Sequence, residues 1–270
     1  MQYIRHFLWL ITFMSGVSTV CAQTFELGIG GGGAGYIGDL NQDKLLKISG
    51  LSLGGYAKLN IDPYWAVGFH YTYGKIKAND AESDNSQFRD RNLNFKTPLN
   101  ELSLQVDFNF LNYFAGGGTK RFTPYIFTGI GAVFFNPKGV YKDGSNNDVE
   151  YNLRFYNTEG QEQAYRNFAL TVPYGVGVKL RLKEKWGLFS QIGYRTVYTD
   201  YLDDVSGKYQ DPIVWDGKSY PEIREFLSDP TDPKIGAPGI QRGDFRKRDT
   251  YMFVGIGISY TFVSQKCYTF

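Results

Sequence analysis

Few side chains in this sequence could do covalent or metal chemistry. If the leader is removed, His70 is the only histidine left and Cys267 the only cysteine. An envelope hydrolase or acyltransferase needs a histidine beside a nucleophile or acid. His70 instead falls mid-strand on an inward face, where a hydrogen-bonded structural role is expected. No His/Cys pair has metal-ligand spacing, and the acidic stretch Asp143–Glu150 lacks the spacing of a calcium loop. Gly28-Ile29-Gly30-Gly31-Gly32-Gly33 satisfies the dinucleotide fingerprint formally. That fingerprint requires a following helix, whereas Asp39-Leu40-Asn41 opens a loop. No catalytic, cofactor or metal site is expected.

The charged residues carry more information. Glu26, Lys58, Glu101, Asp107, Lys179, Arg181 and Arg195 recur on one face of alternating segments. Three acids against four bases on a shared interior face are tolerable only if paired and hydrogen-bonded. A packed internal charge network is therefore expected, in preference to an open conducting pore.

The segments that carry them are strands. Thr250–Phe262 places Met252, Val254, Ile256, Ile258, Tyr260 and Phe262 on one side and Phe253, Gly255, Gly257, Ser259 and Thr261 on the other. A strict period of two is a β-strand with one greasy face. The same pattern marks Thr24–Tyr36, Ile48–Ile61, Trp65–Lys77, Pro98–Phe114, Phe122–Phe135, Phe168–Leu182 and Trp186–Thr199. The connections alternate in length. Asp62–Tyr64, Ala115–Arg121 and Lys183–Lys185 are short, while Ile37–Lys47, Ala78–Thr97, Asn136–Asn167 and Asp200–Asp249 are long. An all-β fold follows: an eight-stranded antiparallel transmembrane β-barrel with long extracellular loops and both termini periplasmic, in the cell outer membrane. A soluble eight-stranded barrel would show the same alternation with its greasy face inward. Aromatics at strand ends, glycines on the opposite face and the loop asymmetry favour the membrane.

Composition and the N-terminus agree. Tyr and Phe number 21 each among 270 residues, beside 32 glycines, a pairing that transmembrane barrels use. A mean hydropathy of −0.33 fits, because only alternate strand residues face lipid. A formal net charge of +2 gives no nucleic-acid footprint. Arg5, the apolar run Phe7–Met14 and Val20-Cys21-Ala22 read as a cleaved signal peptide. The expected organisation is signal peptide 1–22, barrel 23–263 and a short periplasmic tail 264–270. Within that tail Cys267 could form an intermolecular disulfide with a partner, or remain a reduced thiol without a role.

Several local strings are more specific than a barrel requires. They are Gly38-Asp39-Leu40-Asn41, Arg91-Asn92-Leu93-Asn94-Phe95, Pro124-Tyr125-Ile126-Phe127, Phe135-Asn136-Pro137, Thr158-Glu159-Gly160-Gln161 and Thr199-Asp200-Tyr201-Leu202-Asp203-Asp204-Val205-Ser206. In this order the chain resembles the PorG-type outer-membrane barrels of the Bacteroidota type IX secretion system, over nearly its whole mature length. The resemblance implies a non-enzymatic component of a secretion machine that in some bacteria also supports gliding. It implies partners too: outer-membrane lipids and a periplasmic ring of a lipoprotein and its partner protein. Asp200, Tyr201, Asp203 and Asp204 are candidates for a partner contact, or they order the base of the long loop. The alternative to the secretion role is a small porin or a ligand-binding surface barrel.

Overall fold

The computed structural model describes residues 24–113, 119–142, 147–210, 221–244 and 246–262. The expected signal peptide, the tail and Cys267 lie outside the described residues. Ten strands are present among them: β1 Thr24–Ile37, β2 Ile48–Asn60, β3 Trp65–Asn79, β4 Asn94–Asn109, β5 Phe122–Phe135, β6 Lys138–Lys142, β7 Asp148–Asn152, β8 Phe168–Arg181, β9 Trp186–Val197 and β10 Thr250–Phe262. Eight of these, β1 to β5 and β8 to β10, close an antiparallel barrel in the order β3-β2-β1-β10-β9-β8-β5-β4, with β4 returning to β3. Closure pairs the first strand with the last over their full length, Phe25 opposite Phe262 through Ile37 opposite Thr250. No sheet edge is left in the wall, which is the condition for strands to stand in lipid.

One end of the barrel carries tight connections. At the first of them Asp62 Oδ1 accepts from the amides of Tyr64 and Trp65, both at 2.7 Å, and so fixes the reversal after β2. The other end carries long connections that are themselves folded. They hold the β6–β7 hairpin, a short helix Ser86–Arg91, a second helix Pro221–Ser228 and two 3₁₀ turns. The sequence pattern predicts plain loops over Ala78–Thr97, Asn136–Asn167 and Asp200–Asp249, and in all three the structure differs.

The β3–β4 ladder runs on to Asn79 opposite Asn94, past the expected strand ends at Lys77 and Pro98. Its inward residues Ile76, Ala78, Phe95 and Leu99 are buried in a hydrophobic cluster above the lumen, which draws the hairpin out of the wall. Conversely β4 stops at Asn109 instead of reaching Phe114. The Leu111 amide is taken by the Thr123 hydroxyl at 3.1 Å and not by a ladder partner. Met252, on the outward face by parity, is buried. It ends beside Gly35, where the Ile37–Lys47 connection lies over the wall and Tyr194 donates to the Leu45 carbonyl at 3.3 Å.

Elsewhere the facing is as expected. Ile29, Leu53, Phe69, Leu104, Ile130, Leu170, Val176 and Ile256 all point out and are exposed, Ile130 by 68%. Aromatic pairs ring the turn end of this belt: Phe25–Phe262, Trp65–Phe108 and Trp186–Tyr260, with centroids 5.7, 4.8 and 5.1 Å apart. Phe134–Phe168 and Tyr174–Tyr194 lie nearer the loop end. A continuous apolar belt between aromatic girdles is a lipid-facing surface.

Candidate functional site

Inward positions bring six of the seven predicted charges into two buried clusters. Toward the turn end, Asp107 on β4 accepts from Lys58 on β2 and from Lys179 on β8, the latter at 2.8 Å. Lys179 also donates to Asn109 at 3.1 Å. Glu26 on β1 has no lysine in ion-pair range among the described residues and accepts from Tyr56 at 2.6 Å and Asn60 at 3.1 Å. The two ammonium groups lie over the rings of Tyr56 and Tyr125, each 4.3 Å from the centroid. Nearer the loops, Glu101 accepts from Arg195 Nε at 3.2 Å and from the Tyr251 hydroxyl, and the Arg195 guanidinium covers Phe253. Arg181 is half-buried at the turn end.

The lumen is thus filled by paired charge and aromatic rings, as expected for eight strands. A cavity of about 50 Å³ remains, lined by His70, Thr72, Gln191 and Arg195 among others, room for a few waters. The Nε2 of His70 is buried without a hydrogen-bond partner among the described residues, and its ring lies 5.1 Å from that of Tyr56.

The loop end is closed by a cap with its own polar framework. Arg91 clamps Asp80 through Nε at 2.6 Å and Nη2 at 2.9 Å, and donates to the carbonyls of Arg242 (2.6 Å) and Asp39 (3.0 Å). Arg242 in turn donates to Glu159 at 3.1 Å and to the Asp204 carbonyl at 2.6 Å. Glu159 accepts from the Ser206 amide at 2.9 Å.

The four candidate contact residues sit inside this framework. Asp203 accepts from Tyr36 and from the Val205 amide, and Asp204 accepts from Thr158 and Tyr165. Asp203 and Asp204 are buried, so the structure does not present their carboxylates to a partner. They order the base of the long loop. Tyr201 stacks on Tyr165 with centroids 4.4 Å apart, and both Tyr201 and Asp200 are half-buried.

Carboxylates converge beneath the cap. Asp39, Asp200 and Asp249 each place an oxygen within 4.8 Å of the others, a geometry that could hold a cation. Burial pushes Asp39 up to about 7, helped by the negative charges of Asp244 and Asp200. Burial also raises Asp200 to about 6, and Asp204 to about 6 against the pull of Arg242. Asp203 and Asp249 are raised by burial and by the negative charge of the carboxylates around them. Arg91, Asp39 and Glu159 were visible in the quoted strings, but Asp80 and Arg242 carried no signal in the sequence.

A family model described as a domain of unknown function, DUF6089, matches residues 5–213. The chain belongs to the DUF6089 family. No curated protein matches it. Among solved structures, the N-terminal β-barrel domain of Pseudomonas aeruginosa OprF is similar at 12% identity, covering 89% of this chain and 97% of that one, with a TM-score of 0.34. A major outer membrane protein from Thermus thermophilus is similar at 12% identity, covering 89% of this chain and all of that one, with a TM-score of 0.44. Independently of these likenesses, closed strands under a greasy belt make this DUF6089 protein an outer-membrane β-barrel in a lipid environment.

Proposed function

We propose that the protein is a non-enzymatic barrel component of the type IX protein secretion machinery, and of gliding where the machinery serves it. In this reading the tight turns and both termini are periplasmic and meet a ring of a lipoprotein and its partner protein, while the cap faces outward. The observation that carries the reading is the convergence of the resemblance strings. Gly38–Asn41, Arg91–Phe95, Thr158–Gln161 and Thr199–Ser206 lie far apart in the chain, yet they interlock through Arg91, Asp39, Glu159, Ser206 and Asp204. Strings that pack as one unit support a shared inheritance better than isolated turn residues would.

Purification of the tagged protein in mild detergent tests the proposal. Co-purification of a periplasmic ring lipoprotein is expected, together with loss of protein secretion in a deletion strain. Intact secretion without the protein, combined with steady single-channel conductance in planar bilayers, would overturn it in favour of a small porin.

A further inference from the structure

A groove of about 630 Å³ runs along the outer wall where β2 and β3 approach the loop end. Leu51, Leu53 and Tyr73 line its apolar part, and Lys75, Lys77 and Lys96 line its upper part. Leu51 is 81% exposed. Register places Leu53 beside Tyr73, Lys75 beside Pro98 and Lys77 beside Lys96. Lys96 is in turn opposite Lys138 on β6. Three lysines therefore face one another directly across three strands, an arrangement that is destabilising in itself.

One carboxylate answers them. Glu150 accepts from Lys96 at 2.9 Å and from Lys138 at 3.0 Å. Lys75 and Lys77 make no ion pair among the described residues. The row lies just beyond Tyr71 and Tyr73 on the outward face of β3, at the level where the hydrocarbon gives way to headgroups. A cationic row of which Lys75 and Lys77 have no counter-charge among the described residues, continuous with an exposed leucine track below, is complementary to one kind of molecule.

We propose that this groove binds a lipid with an anionic, phosphate-bearing headgroup in the leaflet on the loop side. The phosphate oxygens lie among Lys75, Lys77 and Lys96, and an acyl chain runs along Leu51 and Leu53. The site is independent of any role in secretion.

Native mass spectrometry of the delipidated full-length protein tests it. Phosphatidic acid and phosphatidylcholine with identical acyl chains are offered in equal amounts. Several-fold preferential retention of phosphatidic acid is expected, lost in the Lys75→Gln/Lys77→Gln variant and weakened for the wild-type protein by added salt. The salt arm reads the same contact if the variant fails to fold, which heat-modifiable mobility reveals. Equal retention of the two lipids by the wild-type protein, or a preference that neither the variant nor salt reduces, overturns the proposal. Displacement of phosphatidic acid by inorganic phosphate would also overturn it, because the site would then hold a free anion and not a lipid.

Discussion

Lys179 on β8 donates to Asp107 on β4 across the turn end of the lumen at 2.8 Å, and Lys58 donates to the same carboxylate oxygen from β2. One acid therefore pairs with two buried ammonium groups, from strands on either side of it round the wall. Removing it leaves both unpaired. Asp107→Ala is expected to destabilise the folded barrel by about 3–5 kcal/mol, the cost typical of orphaning a buried charge. Urea unfolding from lipid vesicles, followed by heat-modifiable mobility, measures this. The quadruple replacement Glu26→Gln/Lys58→Met/Asp107→Leu/Lys179→Met should lose far less, because none of the four charges of this cluster is left behind.

Val176 on β8 faces lipid and is 54% exposed, while Glu184 sits in the turn after β8. Val176→Arg should cost about 2–4 kcal/mol if it lies near mid-bilayer, falling toward zero at the interface. Glu184→Arg should cost almost nothing. Equal tolerance of the two in the same unfolding assay would contradict the assigned facing.

Gly193 on β9 stands opposite Gly175 on β8, and the Phe127 ring from β5 lies over both. A Cβ at Gly193 would come within 2.5 Å of Phe127 Cζ and 3.0 Å of Arg195 Nη1. Gly193→Ala is expected to destabilise by about 1–3 kcal/mol through overpacking. Phe127→Leu in the same chain should recover part of the loss, which a double-mutant cycle reads directly.

The cap has a defined pH response. Asp39 rises from 3.8 to about 7 in the folded cap, and Asp200 and Asp204 rise to about 6. Protons are thus held more tightly folded than unfolded, so the stabilisation is complete below 3.8 and is lost as pH rises through 7. The near-ultraviolet signal of the stacked Tyr165–Tyr201 pair should survive higher urea at about pH 5 than at about pH 8. Asp39→Asn keeps an oxygen for the Asp244 amide and should narrow that difference, leaving the part due to Asp200 and Asp204.

Arg91 and Asp80 provide a local counterpart. Asp80 is fully buried, and Arg91→Ala should cost about 3–5 kcal/mol by leaving it unpaired. The loss is expected in the cap alone. Faster cleavage of the long connections by protease, with heat-modifiable mobility of the barrel retained, is the signature.

The barrel was legible because its signal is local. A period of two survives in every wall strand, and the inward parity of Glu26, Lys58, Asp107 and Arg195 follows from it. Their partners were not legible, since Asp107 meets Lys179 from a strand two places round the wall and parity says nothing of distance. The cap was hidden for a related reason. Phe95 and Leu93 are isolated in a polar stretch, and their burial depends on Leu202 and Val205 arriving from elsewhere. Arg91 reaches the Arg242 carbonyl over a separation of 151 residues. The burial of Met252 likewise depends on where the Ile37–Lys47 connection comes to rest.

That connectivity ties the cap to the closure of the wall. The Asp244 amide bonds Asp39 across 205 residues, and these two residues flank β10 and β1, the strands that close the barrel. A wall opened between β1 and β10 would pull the two halves of this contact apart. The cap is thus a latch across the seam: its fastening residues meet when the first strand is paired with the last.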